Sequence, residues 1–160
     1  MFARLVINTN QVLLKNILKV DREKAAANEL YKSGDFAAAL DAYGAAIEID
    51  KLNAAVNSTL HCNRANCYVK LGNWEEAAAE AGAAIDRNEA YSKAFALRGQ
   101  ARVQLNNYED ACADYERASE LSPDSAEFKT ALNEVRAAVE SRSLVLSTHS
   151  VTIPSSFNLL

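Results

Sequence analysis

Through residues 22–141, apolar positions recur every three or four residues, with charged and amide residues between them. That spacing lays a buried stripe along one face of an α-helix. It predicts helices over about 22–32, 36–50, 58–71, 74–87, 92–105 and 108–121. A further helix over about 124–141 carries Phe128, Leu132 and Val135 on one face, with Asp124 or Ser125 as its N-cap. "HCNRANCYVKLGNWEEA", residues 61–77, reads as the middle of a helical hairpin, turned at Gly72-Asn73. Its Asn63 and Arg64 are polar where a plain structural helix could use almost anything.

The pattern repeats. "NELYKSGDFAAALDAYGAAIEID" from Asn28, "NCYVKLGNWEEAAAEAGAAIDRN" from Asn66 and "QARVQLNNYEDACADYERASELS" from Gln100 align with one another. In each, an aromatic (Phe36, Trp74, Tyr108) precedes an alanine by three positions (Ala39, Ala77, Ala111), and a second alanine follows seven later (Ala46, Ala84, Ala118). Trp74 and Tyr108 are 34 residues apart, Phe36 and Trp74 38. The four extra residues, within "NAAVNST", amount to about one helical turn and should lengthen a helix without breaking the stack. Small residues at fixed spacing let paired helices approach closely, and each pair can bury its apolar face only against its neighbours.

Composition agrees with helices: 49% of the 160 residues are apolar, against five glycines and two prolines. No apolar run is long enough to span a membrane. Three cysteines with no C-x-x-C pair give neither a disulfide framework nor a zinc site. The net charge of −4 argues against a nucleic-acid partner, but it is unevenly spread. Residues 1–20 hold Arg4, Lys15 and Lys19 with no acid, residues 143–160 no charge at all, and residues 21–142 sum to −7.

A 34-residue helix–turn–helix period, closed by Pro123, resembles the tetratricopeptide repeat (TPR) over about residues 20–125. The resemblance implies an all-α, right-handed superhelical solenoid of three repeats (about 20–53, 58–91 and 92–125) and a capping helix. In such arrays the first helix of each repeat lines a concave groove and the second its convex back. The three first helices here hold eight cations against two acids, and the three second helices twelve acids against two cations. An acidic protein would then present a basic groove suited to an anionic segment.

Lys24 and Asn28 on the first helix, Asn63 on the third and Lys93 on the fifth resemble the dicarboxylate clamp of chaperone-binding TPR domains. That family grips both carboxylates of a C-terminal Asp, in the Glu-Glu-Val-Asp tail of 70 and 90 kDa heat-shock chaperones (Hsp70, Hsp90). Ammonium groups supply charge and amide NH2 groups donate without repelling the lysines. Where the family usually has Arg, this chain has Leu97, and Arg98 is expected to reach round in its place. Arg64 is expected only at the groove edge, and Tyr31 as a wall for the ligand's penultimate apolar side chain. The expected function is a co-chaperone adaptor, monomeric and cytoplasmic, with no cofactor and no metal. The alternative is a TPR scaffold that binds an internal or folded segment with no need for a free carboxylate.

"IDKLNAAVNSTLHCNRANCYVKL" is similar to the last TPR block of DnaJ-type co-chaperones, where a J domain carrying His-Pro-Asp follows. No His-Pro-Asp occurs here, so ATPase stimulation is not carried over. Residues 142–160, uncharged and β-prone beyond Arg142, are expected to be disordered. Residues 1–19 are expected to be an extra helix packed on the end of the array, with a mitochondrial targeting segment as the alternative. The adjacent His61 and Cys62 point in different directions on a helix and form no catalytic dyad.

Overall fold

Each pair of helices is joined by one residue in the left-handed region, and that residue fixes the hairpin. Gly34 (φ 87°), Gly72 (φ 76°) and Asn106 (φ 61°) end the first, third and fifth helices. A side chain is costly at such angles, least so for asparagine. Past each of these, the next backbone N–H reaches back to the helix it leaves: Asp35 to the Leu30 carbonyl at 3.0 Å, Asn73 to Tyr68 at 3.0 Å, Asn107 to Arg102 at 2.8 Å. These bonds satisfy carbonyls that a helix end leaves unpaired.

The structure, a computed structural model, describes residues 2–149 and the side-chain surroundings of residues 10–144. Within the described residues are seven helices: α1 (Phe2–Ser33), α2 (Phe36–Ile49), α3 (Ala54–Leu71), α4 (Trp74–Arg87), α5 (Ser92–Gln104), α6 (Tyr108–Leu121) and α7 (Ala126–His149). Successive helices pack as antiparallel pairs, and each pair stacks on the next. The six alanines of the repeat pattern, at 39, 46, 77, 84, 111 and 118, are all 0% exposed. They are the contact points at which paired helices touch.

The insertion lengthens a helix, as expected: α3 has 18 residues where α5 has 13. Its polar residues are buried and satisfied. Asn57 donates to the Asp50 carbonyl at 2.8 Å, and Ser58 donates to the Ala84 carbonyl at 3.0 Å. At the other end α7 caps the stack, with Leu132 and Val135 buried against Ala111 and Tyr115. Ser125, one of the two expected caps, accepts from the Phe128 N–H at 3.4 Å.

Both ends differ from expectation. The head does not form a separate element: α1 runs unbroken from Phe2, because neither Gly nor Pro occurs before Gly34. Between residues 12 and 18 it exposes Val12, Leu13, Leu14, Ile17 and Leu18. The tail, expected to be disordered from 142, continues α7 to His149. Arg142 anchors this stretch, its guanidinium 5.9 Å from the Tyr108 ring centroid and donating to the Asn106 carbonyl at 3.3 Å. Residues 150–160 of that expected tail lie outside the described residues.

Candidate functional site

The first helices of the three repeats meet at a chamber of about 300 Å³ lined by Asn28, Tyr31 and Lys32 of α1, Asn63 and Asn66 of α3, and Lys93 of α5, with Tyr43 of α2 behind them. Four of the six residues singled out in the sequence (Asn28, Tyr31, Asn63 and Lys93) are thus brought together from helices far apart in the chain. Lys24 lies one turn before Asn28 on the same helix. It is half-buried, with its Nζ 3.7 Å from Asp21 Oδ1, and it does not line the chamber.

Arg98 is corrected by the structure. Its guanidinium turns away from the chamber onto Asp114 of α6, with Nε 3.1 Å from both carboxylate oxygens and Nη2 2.7 Å from Oδ1. Arg102 completes the cluster at 2.6 Å from Oδ2. Asp114 is 3% exposed, and a carboxylate that deep is tolerable only when paired. The Arg98 plane also lies over Phe95, 5.5 Å from its ring centroid. Reaching round to a ligand would break all of these contacts at once.

Arg64 is corrected in the same way. It is not a groove-edge decoration: Nη1 lies 3.0 Å from Glu80 of α4, whose other oxygen lies 2.8 Å from His61 Nδ1. The expectation of a broadly basic groove therefore narrows. Of the eight cations on the first helices, Arg64, Arg98 and Arg102 pair with acids on the second helices. Arg22, Lys24 and Lys32 pair within α1. Lys70 and Lys93 have no ion pair among the described residues, and Lys93 alone of these two lines the chamber.

Tyr43, Asn66 and Lys32 complete the lining and were not singled out in the sequence. Tyr43 occupies the stripe of its own helix, so it reads as core, and it is 2% exposed. Yet its hydroxyl donates to Asn28 Oδ1 at 2.6 Å. Burial, reinforced by the nearby Cys67, pushes this phenol up to about 12, and the neighbouring Asn63 amide opposes the rise. Burial likewise pushes the Tyr31 hydroxyl up, and the Cys67 thiol to about 11. All these groups stay neutral at pH 7, so the ammonium and the amides supply the chamber's polar chemistry.

A second chamber, of about 730 Å³, opens from the first, sharing Asn66 and Lys93. It runs between α5 and α7, with Leu97, Val103, Phe128 and Val135 among its lining. Leu97 is buried in this wall, where the family usually places its Arg. The two chambers adjoin at Asn66 and Lys93, and the larger one mixes its apolar side chains with Gln100, Gln104, Glu127 and Glu134.

The tetratricopeptide repeat family matches residues 30–101, and again residues 92–125. The chain is 32% identical to the first TPR domain of Spaghetti (RPAP3), solved bound to the HSP90 peptide SRMEEVD; the match covers 77% of this chain and 94% of that one, at a TM-score of 0.72. It belongs to the tetratricopeptide repeat family. The second TPR domain of human RPAP3, solved in complex with the HSP70 peptide SGPTIEEVD, is also 32% identical, over 76% of this chain and 98% of that one, at a TM-score of 0.70. Among longer proteins, the DnaJ homolog subfamily C member 7 homolog of Dictyostelium discoideum is 33% identical over 129 residues, or 81% of this chain and 24% of the relative. RNA polymerase II-associated protein 3 of Mus musculus is 33% identical over 130 residues, 78% of this chain and 19% of the relative. The chain thus spans a quarter or less of these relatives' length.

Proposed function

We propose that this TPR domain is a co-chaperone adaptor that binds the acidic C-terminal Glu-Glu-Val-Asp tail of Hsp70- or Hsp90-class chaperones. The observation that carries the reading is the gathering of Asn28, Asn63 and the unpaired Lys93 in one chamber, in a domain so similar to two that were solved with such tails. The terminal Asp offers two carboxylates. Lys93 would meet them with a full charge, and the two amides with N–H donors that add no repulsion. Lys24, one turn from Asn28, is within a side-chain swing of the same ligand once it gives up its long contact with Asp21. A pair that long, with its acid exposed, contributes little, so releasing it costs little.

Tyr31 is the wall for the penultimate valine, and the adjoining chamber along α5 and α7, which mixes apolar side chains with Glu127 and Glu134, takes the residues upstream of the last four. Leu97 does not defeat the clamp on this reading, because it trades one cationic contact for apolar surface on the same path. The role is adaptor, without catalysis, and it implies the cytoplasm, where such tails are displayed.

Titration of a peptide ending in Ile-Glu-Glu-Val-Asp, as the free acid and as the C-terminal amide, tests the proposal. Micromolar binding of the acid is expected, lost with the amide and with Lys93→Glu. Equal, weak binding of both forms would overturn the clamp and favour a scaffold that reads an internal segment.

A further inference from the structure

We infer that Tyr43 is a positioning residue: its buried hydroxyl locks the Asn28 amide so that only its NH2 faces the ligand, and this makes the chamber selective for a carboxylate. The inference rests on the proposed clamp and concerns a residue outside its expected set. An asparagine amide presents a donor on one side and an acceptor on the other, and the two differ by a half-turn about one bond. With its oxygen toward a carboxylate, Asn28 would repel the ligand that it must hold. Something has to choose the orientation.

Tyr43 makes that choice through its proton. The phenolic O–H donates to Asn28 Oδ1, 2.6 Å away, from a side chain that is itself 2% exposed. Were Asn28 turned over, its NH2 would face the hydroxyl and the phenolic proton would lose this acceptor. Buried donors left without partners are disfavoured, so the bond runs in one direction. The Asn28 amide is then oriented before any ligand arrives. The ring is held in turn: Tyr43 is part of the core cluster with Val20, Ala27, Ala39 and Leu60.

The test is Tyr43→Phe, which keeps the ring and removes only the hydroxyl. Tyr68→Phe is its control, a partly buried tyrosine that lines neither chamber. The readout is the ratio of affinities for the free-acid and amidated tail peptides, measured on the full chain beside thermal melts of each variant. Wild type should prefer the acid strongly. Tyr43→Phe should lower that preference about fivefold, since one net hydrogen bond is worth about 1 kcal/mol. The amide should bind no worse than before, because Asn28 can now turn and offer its oxygen. Tyr68→Phe should leave the ratio unchanged. A Tyr43→Phe protein that melts like wild type and keeps the full acid preference overturns the inference while leaving the clamp standing. A wild type with no acid preference overturns both.

Discussion

The first repeat and the two that follow it join their paired helices by different means. In the second repeat Arg64 of α3 meets Glu80 of α4, and 34 residues later Arg98 of α5 meets Asp114 of α6. The equivalent positions of the first repeat are Ala26 and Ala42, which can make no such link. There α1 and α2 are joined instead by Asn28 and Tyr43. The Arg–carboxylate links turn away from the groove and only hold helices together. The amide–phenol link lies on the groove itself and leaves an NH2 free for a ligand. A polar residue on the first helix of a repeat is thus a strut or a ligand contact according to whether the second helix supplies its partner.

The comparison breaks most visibly at Asp114. Asp114→Ala should lower stability by roughly 3 kcal/mol, because it strands two arginines that are each about three-quarters buried. Urea denaturation would show this as a lower midpoint at unchanged slope. A loss under 1 kcal/mol would mean that the arginines find water readily and that the cluster holds nothing together.

Arg98→Ala separates strut from ligand contact directly. Asp114 keeps Arg102, so the stability cost is smaller, about 2 kcal/mol. Affinity for the free-acid peptide should not change. A tenfold loss of affinity in a folded Arg98→Ala protein would return Arg98 to the clamp and end its description as a strut.

Lys93→Glu is the mirror image. Lys93 is exposed in the first turn of α5, where the helix dipole disfavours a cation and favours an acid. Stability should stay within about 0.5 kcal/mol of wild type or rise slightly. Free-acid affinity should nevertheless fall at least about tenfold, as charge reversal beside a dicarboxylate costs more than about 1.4 kcal/mol. Parallel loss of stability and affinity would show that Lys93 supports the fold and that the binding argument built on it is unsound.

Much of this was legible in the chain. The alanines at 39, 46, 77, 84, 111 and 118 mark helix contacts because only a small side chain fits there, so their spacing announces the stack. Asn28, Asn63 and Lys93 were legible by their register on three first helices. Arg98 was misread, because attention to charge on one helix ignored the partner on the next. The signal was nevertheless present: Arg64 and Arg98 repeat at 34 residues, and so do Glu80 and Asp114. A strut recurs with the repeat, while a contact to one ligand need not. Tyr43 was hidden for a different reason. It sits on the apolar stripe, where a ring is fully explained by packing, and nothing in the stripe says where the hydroxyl goes. The helix expected at the head is there but continuous with the first helix, and the tail's helix to His149 was missed because β-prone composition was weighed above the absence of Gly and Pro between 126 and 149.

Arg64→Ala gives the smallest effect and the finest test of the periodic strut. Only one guanidinium nitrogen touches Glu80, at 3.0 Å, against the two nitrogens and three hydrogen bonds with which Arg98 grips Asp114. Glu80 also keeps a second partner in His61. Its side chain is 15% exposed, compared with 3% for Asp114, so water can compensate part of the loss. About 1 kcal/mol is expected, measured by urea denaturation, with peptide affinity untouched because Arg64 points to α4 and away from the chamber. Combined with Arg98→Ala the costs should add, since each link joins a different pair of helices and they share no partner. Coupling of more than about 0.5 kcal/mol between them would mean that the second and third repeats are braced as one unit and that the strut belongs to the stack rather than to the single repeat.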